Sequence, residues 1–201
     1  MERYDLGILT KKIYDSDISF FTIKTIRDIL EIKKESTFFA IMNRLVESEL
    51  FIKIEKGKYL LSNNNISDFT LANLIYQPSY ISFEAALSFY GILSQFPYEI
   101  SSASVKKTIR KVFEGKIFTY NHIKKDLFWG YEKKNNELIA LPEKALLDQL
   151  YIAANGYKRI DLDEYDLDRI NIVRLREYLS KYPKTRQFNS IIGKARSYVK
   201  L

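Results

Sequence analysis

Polar side chains that can read DNA bases recur at helical spacing between residues 36 and 47. Apolar residues of the same stretch repeat with the period of a helix that has one buried stripe; they are Phe38, Ile41, Met42, Leu45 and Val46. The opposite side and its flanks carry small or polar side chains, namely Ser36, Thr37, Ala40, Asn43, Arg44 and Glu47. Asparagine pairs with adenine, arginine pairs with guanine, and a hydroxyl group reaches a base edge or a phosphate. The pattern therefore predicts DNA contacts by Ser36, Thr37, Asn43 and Arg44.

Four lysines extend this candidate surface. Lys33 and Lys34 precede the helix, where a phosphate also interacts with the helix N-terminus. Lys56 and Lys58 belong to a turn between two runs of β-forming residues, 51–54 and 58–61, and the glycine of that turn tolerates a positive φ. The runs predict a β-hairpin whose basic tip contacts a phosphate of the DNA backbone.

Two further helices are predicted upstream, an amphipathic one over residues 2–14 and a short one that Thr22 caps. Three helices followed by a hairpin is the order of a winged helix-turn-helix. The polar run 62–65 predicts a boundary, with a winged helix-turn-helix DNA-binding domain at 1–64 and a second domain at 65–201. Residues 1–65 hold eleven basic and ten acidic side chains. That balance is modest for a DNA-binding module, so we expect dimerisation on DNA or basic residues of the second domain to add phosphate contacts.

The second domain alternates between helical and β-forming patterns. Helices are predicted over 69–75 and 82–90, the latter capped by Ser82, and again from Pro142, over 171–181 and over 186–199. Several β-forming runs between residues 98 and 141, including 128–131, predict a sheet. The expected fold class is α+β: an N-terminal winged helix-turn-helix, then a mixed domain of helices and a small antiparallel sheet with a helical C-terminus.

Two basic clusters in the second domain are candidates for an antitoxin surface or a second DNA surface. The first comprises Lys106, Lys107, Arg110 and Lys111. The second lies in residues 171–201, which carry eight basic side chains against Glu177 alone and so account for the whole net charge of +7; its candidate contacts are Arg174, Arg176 and Arg186. A solvated helical face is the alternative interpretation.

No constellation of catalytic residues is recognisable. The chain has no cysteine and a single histidine, His122, which excludes disulfides, thiolate zinc sites and sites with several imidazoles. Seven isolated glycines form no phosphate-binding loop, and the acidic run 161–168 lacks the glycine and terminal glutamate of a calcium loop. We expect no enzymatic activity, no metal and no cofactor; an enzyme using carboxylates and a metal is an alternative. A charged N-terminus and short apolar runs predict a cytoplasmic protein without a membrane span.

Three segments of the second domain resemble the AbiEi antitoxin family of type IV toxin-antitoxin systems, which act in abortive infection, a form of phage defence. They are PSYISFEAALSFYG at 78–91, ISSASVKK at 100–107 with FTY at 118–120 and LFWGY at 127–131, and PEKALLDQLY at 142–151. With the N-terminal pattern, the resemblance covers about residues 1–155.

The resemblance implies a repressor that autoregulates its operon by binding repeats in the promoter through its N-terminal domain. Its second domain is expected to counter a toxin similar to nucleotidyltransferases, without a stable complex between the two proteins. The family assigns no catalytic residues. A winged-helix protein-interaction module without sequence-specific DNA binding is the alternative function.

Overall fold

The computed structural model describes residues 4–63, 66–156 and 160–198. The chain divides into two compact units, an N-terminal unit Met1–Ile66 and a C-terminal unit Ser67–Leu201. Asn64 and Asn65 of the predicted boundary, like Val199 of the last predicted helix and Lys200 of the basic segment, lie outside the described residues. Together the two units form a mixed α+β protein.

The N-terminal unit contains three helices and a three-stranded sheet. Its elements are α1 (Leu6–Asp15), β1 (Phe20–Thr22), α2 (Ile23–Leu30), α3 (Glu35–Glu47), β2 (Phe51–Glu55) and β3 (Lys58–Leu61). The strands are antiparallel in the order β1-β3-β2. The predicted helices and hairpin are present, and the Thr22 hydroxyl accepts the Thr25 N–H at the start of α2, as predicted. Strand β1 was not predicted, because three residues are too few to show alternation.

The C-terminal unit packs five helices with a six-stranded sheet. Its helices are α4 (Asp68–Ile75), α5 (Phe83–Phe89), α6 (Pro142–Ala154), α7 (Ile172–Ser180) and α8 (Arg186–Ala195). Its strands are β4 (Ser79–Ile81), β5 (Glu99–Ser104), β6 (Ile109–Phe113), β7 (Lys116–His122), β8 (Tyr131–Lys134) and β9 (Glu137–Ala140). The predicted helices are present; α5, α7 and α8 are shorter than predicted, and α4 begins one residue earlier.

The sheet of the C-terminal unit is mixed, so the prediction of a small antiparallel sheet was wrong. The strand order is β6-β7-β5-β4-β9-β8; β5 is parallel to β7, and β4 is parallel to β9. Tight turns make the hairpins β6–β7 and β8–β9 antiparallel. The antiparallel pair β4–β5 lies between them, with β5 beside β7 and β4 beside β9. The predicted strand over 128–131 was also wrong, because Gly130 has a φ of +73° and β8 begins only at Tyr131.

No helix in the described ranges is both long enough and apolar enough to cross a membrane.

Candidate nucleic-acid interface

The predicted base-reading residues lie on the solvent side of α3. Ser36, Asn43 and Arg44 are exposed, and Thr37 is half-buried. The stripe beneath them is anchored in the core of the N-terminal unit, where Phe38 has no exposed surface. Within the described part of the chain, the side chains of Asn43 and Arg44 have no hydrogen-bond or ion-pair partner. They are therefore free to bind a ligand without breaking an internal contact.

The N-terminus of α3 is open to an anion. Lys33 and Lys34 are exposed in the four-residue turn between α2 and α3. Lys34 is the N-cap residue, and its side chain makes no capping hydrogen bond, so amide groups of the first turn remain available to a phosphate oxygen. The nearby Glu35 carboxylate opposes an anion, but it lies 3.9 Å from the Arg27 guanidinium, which partly neutralises it.

At the tip of the β2–β3 hairpin, Lys58 has an ion pair and Lys56 has none among the described residues. Lys56 is exposed in the turn, where Gly57 has a φ of +77°. Lys58 is half-buried, and its ammonium lies 3.6 Å from the Glu55 carboxylate. The Ile23 N–H donates to the Gly57 carbonyl at 3.1 Å, which holds the tip beside the start of α2. Lys56 is the stronger candidate for a phosphate contact.

The first basic cluster of the C-terminal unit is not one continuous patch. Lys106 and Lys107 are exposed in the loop between β5 and β6, and the Lys106 ammonium lies 5.4 Å from the centre of the Tyr76 ring. Arg110 and Lys111 are consecutive residues of β6, so their side chains point to opposite faces of the sheet. The Arg110 guanidinium donates twice to Glu99 at 3.2 Å, which reduces the free charge of the cluster.

The basic C-terminal segment is part of the core of its unit. Several of its apolar residues are buried, among them Leu175, Tyr182, Phe188 and Ile192. Arg174 forms an ion pair of 3.3 Å with Glu143, and Arg176 is exposed but is not without an interaction of its own. The cations of this segment that have no ion pair among the described residues lie on α8 or next to one of its ends: Lys184, Arg186, Lys194 and Arg196.

A hydrogen-bonded group of polar residues lies inside the C-terminal unit, where Lys144 and Asp148 of α6 are completely buried and paired. Asp148 also accepts hydrogen bonds from the hydroxyls of Tyr80 at 2.9 Å, Ser82 at 2.8 Å and Tyr182 at 2.7 Å. We call these five residues the buried polar centre. The charged residues Glu143, Lys144 and Asp148 of α6 are buried together with its apolar residues.

Burial dominates the electrostatics of the buried polar centre. It lowers the pKa of Lys144 against the opposing attraction of Asp148, and it raises the pKa of Tyr80 and Tyr182, with Asp148 raising both further. The Lys144 ammonium lies 5.1 to 5.5 Å from the centres of three rings, those of Trp129, Tyr182 and Tyr80. All its charged groups are enclosed, so the centre holds β4, α6 and the α7–α8 link together and offers no surface to a ligand.

No protein-family model matches this chain, and no curated protein matches it. The three segments that resemble the AbiEi family meet at the buried polar centre. Tyr80 and Ser82 come from the first segment, Trp129 from the second, and Lys144 and Asp148 from the third. The segments therefore share a packing role in this unit.

An acidic cleft in the C-terminal unit does not suit the binding of nucleic acid. The cleft has a volume of about 620 Å³ and is open to solvent. It is lined by aromatic residues of the loop before β5 and by four carboxylates, those of Glu84, Glu99, Asp161 and Glu164. Its negative charge repels phosphates.

No group of three or more His, Asp or Glu side chains able to hold a metal ion occurs in residues 4–63, 66–156 and 160–198. His122 is exposed at the end of β7.

Sequence reasoning missed Phe39 at the interface. This side chain is 41% exposed on α3 and lies outside the apolar stripe of the helix. The helical period places Phe39, which follows Phe38 of the stripe, at the edge of the exposed face, so the sequence could have indicated this position. Its packing edge-on against Phe38, with ring centres 5.4 Å apart, could not be predicted from the spacing.

Proposed function

We propose that this chain is a sequence-specific transcriptional repressor that binds double-stranded DNA through a winged helix-turn-helix in its N-terminal unit. The observation that carries the proposal is the solvent face of α3. It presents unpaired Asn43 and Arg44, its N-terminus is flanked by Lys33 and Lys34, and its opposite side is anchored in the core.

The element order supports a winged helix-turn-helix. Helix α2, a turn of four residues and α3 have the helix-turn-helix order, and β2–β3 with β1 provides the wing. Helix α3 has 13 residues, about 20 Å in length, and the major groove of B-DNA admits one such helix. Ala40 at the middle of the exposed face lets the helix backbone approach the base edges closely.

The modest charge of the N-terminal unit favours additional phosphate contacts. We propose that they come from a second copy of the chain on repeated promoter sites or from the free cations near α8. Either source multiplies electrostatic contacts without changing the base-reading residues.

The resemblance to AbiEi antitoxins supports the biological role that we propose. The chain represses its own operon and, through the C-terminal unit, counters a toxin similar to nucleotidyltransferases without forming a stable complex with it. The antitoxin role is proposed from this resemblance.

The test is binding of the full chain to a labelled fragment of its own upstream DNA and to an unrelated fragment of equal length, titrated with salt. Wild-type protein should retain the upstream fragment preferentially. In an Asn43→Ala, Arg44→Ala variant, each lost base pairing should cost about 1–3 kcal/mol, a factor of about 5 to 150 in affinity.

The matched control is Asn63→Ala, Lys11→Ala, which removes one amide and one positive charge from exposed positions of the same unit outside α3. It should retain preferential binding. Equal, weak binding of every variant to both fragments would contradict the proposal and favour a protein-interaction module.

A further inference from the structure

The exposed face of α3 carries an apolar side chain that the binding of phosphates does not explain. Among the large hydrophobic residues exposed in the described part of the N-terminal unit, Ile8 and Tyr14 lie on α1, and Phe39 alone lies on α3. With 3.6 residues per turn, Phe39 lies about 40° around the helix axis from Asn43. It therefore shares a side with the candidate adenine reader.

The Phe39 ring is anchored. It packs edge-on against Phe38 with an interplanar angle of 72°, and the Arg27 guanidinium covers the Phe38 ring from 4.8 Å. An aromatic ring supported in this way loses little conformational freedom when it binds, because its neighbours already restrict it.

The major groove of DNA offers one apolar group, the C5-methyl of thymine. We propose that Phe39 determines specificity by contacting a thymine methyl in the operator, next to the adenine that Asn43 reads. The inference rests on the proposed function, since it needs α3 in the major groove. Phe39 and Asn43 are four residues apart, about 6 Å along the helix, which corresponds to one or two base-pair steps of about 3.4 Å. The operator should contain the thymine within two base pairs of the adenine.

The experiment replaces one chemical group on the DNA. The binding site in the upstream fragment is located by footprinting, and each thymine in it is changed singly to deoxyuridine, which removes only the methyl group. At one thymine of each bound repeat, this change should lower wild-type affinity by about fourfold. That is the factor expected when one buried methyl group is lost from the contact.

A coupling measurement assigns the methyl contact to Phe39. The Phe39→Ala variant should bind the unmodified site more weakly than wild type, and the deoxyuridine change should have no further effect on it. Phe39→Leu, which keeps an apolar side chain, should retain part of the methyl dependence. The matched control is Phe89→Ala, because Phe89 is 43% exposed on a helix of the C-terminal unit; this variant should keep the full dependence.

The outcomes separate the two proposals. If wild-type protein binds the site specifically but no thymine methyl matters, or if the methyl effect persists unchanged in Phe39→Ala, the thymine contact is overturned and the repressor function stands. If wild-type protein shows no preference for the upstream fragment, both fail. Circular dichroism spectra and melting temperatures of the variants distinguish loss of binding from loss of folding.

Discussion

The α3 face and the buried polar centre place similar side chains in opposite environments. On α3, Asn43 and Arg44 are exposed and unpaired. In the C-terminal unit, Lys144 and Asp148 are buried and fully engaged with each other and with hydroxyl groups. Free polar groups on a rigid helix can exchange water for a ligand, whereas enclosed groups can only stabilise the structure around them. We therefore propose that the exposed groups act in recognition, whereas the buried ones stabilise the C-terminal unit.

The largest effect that we predict is a loss of stability in an Asp148→Ala variant, which disrupts the buried polar centre. Removing the carboxylate leaves the Lys144 ammonium buried without its partner and three hydroxyl groups without their acceptor. The free energy of unfolding should fall by about 3–5 kcal/mol. Urea unfolding followed by fluorescence measures it directly, because the only tryptophan, Trp129, packs against Lys144 and Tyr182.

The control is Glu177→Gln, which breaks an ion pair at the surface. The Lys181 ammonium lies 3.0 Å from the Glu177 carboxylate, and the two residues are four apart, as Lys144 and Asp148 are. Exposed pairs of this kind contribute at most about 0.5 kcal/mol. Similar losses in the two variants would show that burial does not set the importance of Asp148.

A smaller loss of stability should follow from crowding Lys144, in a Gly130→Ala variant. A Cβ at Gly130 would lie 2.9 Å from Lys144 Cγ. Gly115 is a matched reference, since its φ of +75° is close to the +73° of Gly130 and a Cβ there meets nothing within 4 Å. Both alanine variants are destabilised by placing a side chain on a left-handed backbone conformation. The additional loss of unfolding free energy at Gly130, about 1–3 kcal/mol, therefore measures the effect of overpacking against Lys144. Equal melting temperatures of the two variants would contradict it.

Local patterns were sufficient for most of the N-terminal unit. The apolar stripe of α3, the Thr22 cap and the glycine turn of the hairpin all act within a few residues, and the structure contains each of them. The exposed side of α3 followed from the same period. Phe39 shows the limit of this reasoning, because its support comes from ring packing that spacing does not reveal.

The C-terminal unit depends on contacts that are distant in sequence. Lys144 and Asp148 have the spacing of an ordinary surface ion pair, and their partners Tyr80, Ser82 and Tyr182 are 34 to 68 residues from Asp148. Ser82 shows the consequence: it occupies the N-cap position of α5, but its hydroxyl donates to Asp148, and the predicted capping bond is absent. The parallel pair β4–β9 was unpredictable for the same reason, since its two strands are far apart in the sequence.

The smallest expected effect tests whether the surface of the C-terminal unit also contacts DNA. Deleting the basic segment would remove Tyr182 and Phe188 from the core, so we choose Arg186→Gln, Lys194→Gln, which changes exposed side chains of α8 that have no ion pair among the described residues. If both contact phosphates, the slope of log affinity against log salt should decrease in magnitude by about 1.8, since each contact contributes about 0.9. Lys124→Gln, Lys125→Gln removes the same charge from exposed positions near β7 and should leave the slope unchanged. An unchanged slope in the α8 variant would exclude Arg186 and Lys194 as phosphate contacts and would favour a second copy of the chain as the source of the additional contacts.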